Sequence, residues 1–179
     1  MSERKLTLRP RQDADLPTLW RWLHGEENPE WRQWDGPYFL DKPTNLSYAA
    51  YLQKAQATEP SLDRQIIALN GECIGMVTRY EEDPAGGGWW ELGIVIYDPQ
   101  HWGAGLGREV LKQWTGRTFH ETNAHVITLT TWSGNERMVR SAGRVGYREC
   151  ARIPEARSWQ GKRWDSVKLA ILRREWPQD

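Results

Sequence analysis

Between Trp89 and His120 the chain reads WWELGIVIYDPQHWGAGLGREVLKQWTGRTFH, and no other stretch restricts the fold so tightly. Leu92 to Tyr97 is an apolar, β-branched run, the pattern of a buried strand. Asp98-Pro99 ends it, because proline has no amide proton to give a ladder. Glycines then recur at Gly103, Gly105 and Gly107. Alternate glycines let the backbone turn tightly and lie close to a ligand. From Glu109 to Phe119 the spacing predicts a helix, with Val110, Leu111, Trp114 and Phe119 as core contacts. Strand, glycine turn and helix N-terminus in this order make an anion site: unpaired amides converge where the helix dipole is positive.

Spacing selects among anion sites. A dinucleotide-binding G-x-G-x-x-G would need glycine where Arg108 stands, and no G-x-x-x-x-G-K-[ST] run occurs. Gln100-x-x-Gly103-x-Gly105 instead resembles the Q/R-x-x-G-x-G/A loop of the GNAT superfamily of acyl-CoA N-acyltransferases. Glu91 to Pro99 is similar to the E-I-G-Y-x-L-D-P strand of its RimJ/RimL-like branch, which holds ribosomal-protein alanine and spermidine acetyltransferases. Asn135 to Tyr147 resembles the family segment N-x-x-A/S-x-x-x-x-x-K-L-G-F, with Val145-Gly146-Tyr147 on L-G-F. Trp164 to Leu172 looks like the branch's terminal strand, Y-x-D-x-x-x-M-x-I/L.

The resemblance implies a mixed α/β fold: a twisted, mostly antiparallel sheet of about seven strands flanked by about four helices, in one domain over 1–179. The chain order agrees: strand, two helices, three strands, helix, strand, helix, two strands. The first helix is expected after an Asp13 cap, the second over Asn45 to Ala57, and Asn70-Gly71 as a hairpin turn.

The implied reaction moves the acetyl group of acetyl-CoA to a primary amine, on a small molecule or a peptide N-terminus, by direct attack in a ternary complex. The amine must first lose a proton, which a buried carboxylate takes directly or through water. Glu91, matching the branch's strand glutamate, is the candidate base. Backbone amides from Ile94 to Tyr97 would hold the oxyanion. On the family pattern Val95, Ile96 and Tyr97 meet the pantetheine amides, and Asn135 contacts the same arm. Trp102, Gly103, Ala104, Gly105, Leu106, Gly107 and Arg108 wrap the pyrophosphate. Arg137, Arg140, Arg144 and Arg148 form a basic stripe, from which Arg144 is the candidate for the ribose phosphate. Many relatives carry a tyrosine seven residues after the asparagine, as general acid toward the departing thiolate. Ala142 stands there, with Ser141 expected to point elsewhere on the helix. The alternative reading is therefore a coenzyme-A-binding sensor with the same fold and impaired chemistry.

From His24 to Pro43 the pattern is irregular yet aromatic, with Trp31, Trp34 and Tyr38 among carboxylates. These three are candidate walls for an amine pocket. Lys+Arg and Asp+Glu both number 24, which disfavours nucleic-acid or anionic-membrane partners. The four histidines form no ligand cluster, so no metal is expected. Cys73 and Cys150 fall in expected strands and should be reduced, buried and inert. With no apolar run of membrane-spanning length and no apolar signal core, a cytoplasmic location is expected. Twelve tryptophans would favour a homodimer if they reach the surface.

Overall fold

The computed structural model describes residues 4–39 and 45–177. Seven strands form one sheet: β1 (Leu6–Arg9), β2 (Arg64–Leu69), β3 (Glu72–Glu81), β4 (Trp89–Ile96), β5 (Val126–Trp132), β6 (Arg148–Trp159) and β7 (Lys162–Leu172). Their order across the sheet is β1-β2-β3-β4-β5-β7-β6. Every neighbouring pair is antiparallel except β4 and β5. Five α-helices accompany them: α1 (Leu16–Trp20), α2 (Trp31–Asp35), α3 (Tyr48–Gln56), α4 (Leu106–Glu121) and α5 (Glu136–Val145).

The extra helix, α2, lies inside the irregular aromatic stretch. Five residues between Pro29 and Gly36 are too few to show a period. The remainder of that stretch, 40–43, lies outside the described residues. The first expected helix is also not uniform. It opens as a 3₁₀ turn over Asp13–Asp15, continues as α1 and ends as a π turn over Arg21–Gly25. Asp13 is not its cap. Asp15 takes that work, accepting from the Gln12 amide at 2.8 Å and pairing with Arg9 at 2.7 Å. The Asn70-Gly71 turn is present, with φ of 52° and 91°, the left-handed pair a two-residue hairpin requires.

The sheet separates two apolar layers. One face packs under α4 and α5, with Leu92, Val110, Leu111, Trp114, Phe119, Ile127, Leu129 and Val167 in a single cluster. Trp114 is fully buried and its indole nitrogen donates to the Thr78 carbonyl at 2.9 Å. The other face packs Leu19, Trp22, Trp31, Ile66, Ala68 and Tyr97 together. Alternation along β4 divides its side chains accordingly: Leu92, Ile94 and Ile96 join the first cluster, Val95 and Tyr97 the second.

The topology creates one discontinuity, at β4. Its parallel pairing with β5 covers only Trp89–Val126, Trp90–Ile127 and Glu91–Thr128. Beyond Glu91, β4 continues beside β3 as far as Ile96, and β5 continues beside β7 as far as Trp132. The two strands therefore diverge, and the sheet opens into a V with its apex at Glu91 and Thr128.

Candidate active site

A cavity of about 650 Å³ occupies the mouth of the V, within the size range of small-ligand sites. Its walls come from four places: Ile94, Val95 and Ile96 of β4, the loop from His101 to Arg108, one side of α5 from its Asn135 cap to Arg144, and Trp31, Trp34 and Asp35 of α2. Asp98 begins the loop by capping Gln100, its side chain accepting from that amide at 2.9 Å. Gly103 and Gly105 follow with φ of 83° and 80°. A Cβ at either would meet nothing within 4 Å, so conformation, not crowding, requires glycine there. Gly105 is the residue before α4, and the first backbone bond of that turn runs from Glu109 to its carbonyl at 3.1 Å. The amides of Leu106, Gly107 and Arg108 are thus beyond the reach of intrahelical acceptors.

Charge is concentrated here. Arg108, Arg137, Arg140 and Arg144 line the cavity, against Asp35 as its one carboxylate. A chain of zero formal charge thus presents a basic cleft, which suits a polyphosphate. Arg148 belongs elsewhere: it sits on β6 and pairs with Glu175 at 2.5 Å. Asn135 lines the cavity and caps α5, its side chain accepting from the Met138 amide at 3.2 Å. Ser141 also lines it, whereas Ala142 is fully buried in the core. The serine expected to point away is the one on the cavity wall.

Val95, Ile96, Trp102, Gly103, Ala104, Gly105, Gly107, Arg108, Asn135, Arg144, Trp31 and Trp34 all fall on the cavity wall. Leu106 does not, because its side chain is buried in the α4 core cluster. Tyr97 does not either. Its amide donates to the Ile74 carbonyl at 2.9 Å and its ring packs edge-on against Trp31 at 5.2 Å. Burial pushes its phenol well above the ordinary tyrosine range. Tyr38 lies behind the wall, its hydroxyl donating to the Thr131 carbonyl at 2.9 Å, with Arg157 over its ring at 4.8 Å. Sequence reasoning missed Met138, counted Asp35 only among the carboxylates beside the aromatic residues, and placed Arg137 in the basic stripe without a specific role.

Glu91 stands at the apex of the V, buried and outside the cavity wall. Its Oε2 accepts from the Lys168 ammonium at 2.9 Å and from the Thr128 hydroxyl. Lys168 also lies over the Trp89 ring at 5.2 Å, and the Trp89 indole donates to Thr128 at 2.7 Å. The strand glutamate therefore belongs to a four-residue polar cluster that links β4, β5 and β7. Among the described residues no group of three or more His, Cys, Asp or Glu is arranged to hold a metal.

This V-shaped split beside a glycine loop accords with the family comparison. The acetyltransferase (GNAT) domain profile matches residues 5–148. The chain belongs to the GNAT acetyltransferase family. It is accordingly an acetyl-CoA-dependent N-acetyltransferase. Among curated relatives, an aminoglycoside N(6′)-acetyltransferase type 1 of Klebsiella pneumoniae is 25% identical over 155 residues, 82% of this chain and 75% of the relative. Among solved structures, a GNAT-family acetyltransferase from Bacillus anthracis superposes with a TM-score of 0.74 at 17% identity, covering 98% of each chain. Spermidine N-acetyltransferase from Vibrio cholerae, solved with CoA and spermine, gives 0.73 at 20% identity over 95% of this chain and 96% of that one. The solved structures share the fold of this acetyltransferase, its family rests on the profile match, and neither chooses a branch. Among the described residues no helix is long and apolar enough to cross a membrane.

Proposed function

We propose that this GNAT acetyltransferase acetylates a primary amine of a small, cationic molecule such as a polyamine or an aminoglycoside. The carrying observation is one continuous cavity that joins the arginine-lined glycine loop to Trp31, Trp34 and Asp35 across the opening between β4 and β5. The loop amides and arginines suit the coenzyme diphosphate. The split edge of β4 suits the pantetheine amides, and the two indoles with Asp35 suit an ammonium. The curated relative named for aminoglycosides and the structural neighbour named for spermidine support this acceptor class.

In this reading the amine nitrogen forms a bond to the thioester carbonyl, the C–S bond breaks, and the thiolate departs. Glu91 receives the amine proton through water, since the carboxylate lies behind the cavity wall and its Oε2 is shared with Lys168 and Thr128. Ser141 and solvent face the departing sulfur from α5, and a thiol of pKa about 8.5 leaves without full protonation.

Thiol release from acetyl-CoA in the presence of spermidine, kanamycin and a short peptide with a free N-terminus tests the acceptor. Turnover with either of the first two and not the peptide is the expected result. Turnover with the peptide alone would sink the small-amine reading, and none at all with intact coenzyme binding would favour a sensor.

A further inference from the structure

Residues 31–39, comprising α2 and the 3₁₀ turn after it, bridge the opening between the two halves of the sheet. A five-residue helix has little stability of its own, so this strap is ordered by its tethers. On one side it is tied to β5 and the β6–β7 hairpin. The Trp132 indole donates to the Trp34 carbonyl at 2.7 Å, Tyr38 to the Thr131 carbonyl at 2.9 Å, and Gln160 to Gln33 at 3.1 Å. On the other side stands Arg137, in the first turn of α5. Its guanidinium lies 4.2 Å from the Trp34 ring centre and 5.1 Å from that of Trp102. The two indoles meet edge to face at 6.3 Å. Trp102 is itself fixed, its indole nitrogen donating to the Ile96 carbonyl at 2.9 Å at the end of β4. One cation therefore joins a residue of the strap to a residue of the glycine loop.

We propose, on the coenzyme reading above, that Arg137 is a positioning residue that couples the glycine loop to the strap, so that coenzyme binding and strap closure stabilise each other. A diphosphate on the loop amides further restrains the segment carrying Trp102. Arg137, stacked on that ring, then holds Trp34 and with it the wall that carries Trp31 and Asp35. Filling the coenzyme side thereby holds the acceptor side of the cavity more firmly. Linkage makes the effect reciprocal: a closed strap tightens coenzyme binding by the same factor. Lysine would not substitute fully, because only the planar guanidinium stacks on two rings at once.

Hydrogen–deuterium exchange, with and without saturating coenzyme A, tests this on the full chain as wild type, Arg137→Ala and Arg137→Lys. In wild type, coenzyme A slows exchange both in 102–108 and in 31–39, the strap by about tenfold, or about 1.4 kcal/mol. In Arg137→Ala the loop is still protected, while strap protection by coenzyme falls to less than about twofold, and Arg137→Lys lies between. Steady-state kinetics of the same variants show the KM for the amine rising more than the KM for acetyl-CoA. Strap protection as large in Arg137→Ala as in wild type would overturn the coupling, as would a wild-type strap that coenzyme A leaves unchanged beside a protected loop. Absence of loop protection in wild type would instead overturn the coenzyme reading itself. Should Arg137→Ala fail to fold, Trp34→Leu removes the ring from the strap side. It must show the same loss of strap protection for the proposal to stand.

Discussion

A buried carboxylate paired with an ammonium gives two separable effects on mutation. Glu91→Gln keeps shape and hydrogen bonding but removes the proton acceptor, so kcat should fall by about 100-fold or more, read as thiol release. Lys168→Met leaves the Glu91 charge buried without its cation, and should destabilise the fold by about 3 kcal/mol in urea unfolding. Combining the two should recover much of that loss, because no charge is then stranded. The cysteines differ from expectation in a similarly local way. Cys73 is half-buried in β3, and burial pushes its thiol up to about 12, so it stays protonated and inert near neutrality. Cys150 is exposed on β6, the edge strand, and not buried as strand patterning suggested. At pH 8 a thiol-reactive disulfide should therefore label Cys150 rapidly and leave Cys73 unmodified until the chain unfolds.

The glycine loop shows how an element can be fixed by backbone conformation alone. Gly105→Ala places a Cβ in open space but at φ of 80°, which costs about 1–2 kcal/mol wherever the turn keeps its shape. Calorimetry should show coenzyme A binding weakened by about tenfold, while Gly107→Ala, at ordinary φ with nothing within 4 Å, should bind nearly as wild type. The β6–β7 hairpin relies instead on charge. Arg152 donates to Glu149 at 2.8 Å and to Asp165 at 2.9 Å, and these bonds hold both carboxylates below their ordinary range. Lowered carboxylates contribute stability that is present above the unfolded pKa of about 4 and lost as pH falls through the folded value. Amide protection factors in the hairpin, corrected for the intrinsic exchange rate, should thus hold steady from pH 7 to 5 and fall below about pH 4, a dependence that Arg152→Ala should weaken.

At the scale of the whole molecule, zero net charge conceals a local excess: four arginines line one cleft against the single carboxylate of Asp35. Coenzyme A at 100 times its dissociation constant should add about 2.7 kcal/mol to stability, a thermal shift of several degrees. Adding salt should weaken that shift by screening the arginines. A shift independent of salt would mean that the cleft's charge does not bind the phosphates.

What the sequence alone determined is what neighbouring residues decide among themselves. The strand from Leu92, the stop at Asp98-Pro99, the glycine turn and the helix behind it are written in hydrophobic period and permitted φ. So were α5 between Asn135 and Gly146, the Asn70-Gly71 turn and the succession of seven strands along the chain. Only the tertiary structure decided which polar groups meet. The pairing of Glu91 with Lys168 spans 77 positions of chain, and Tyr38 reaches Thr131 across 93. Likewise α2 exists because long-range bonds hold it, and Ser141 instead of Ala142 faces the cavity because helix rotation is set by packing against α4. Local pattern fixes conformation, but it carries no information about partners that chain folding brings together from distant parts of the sequence.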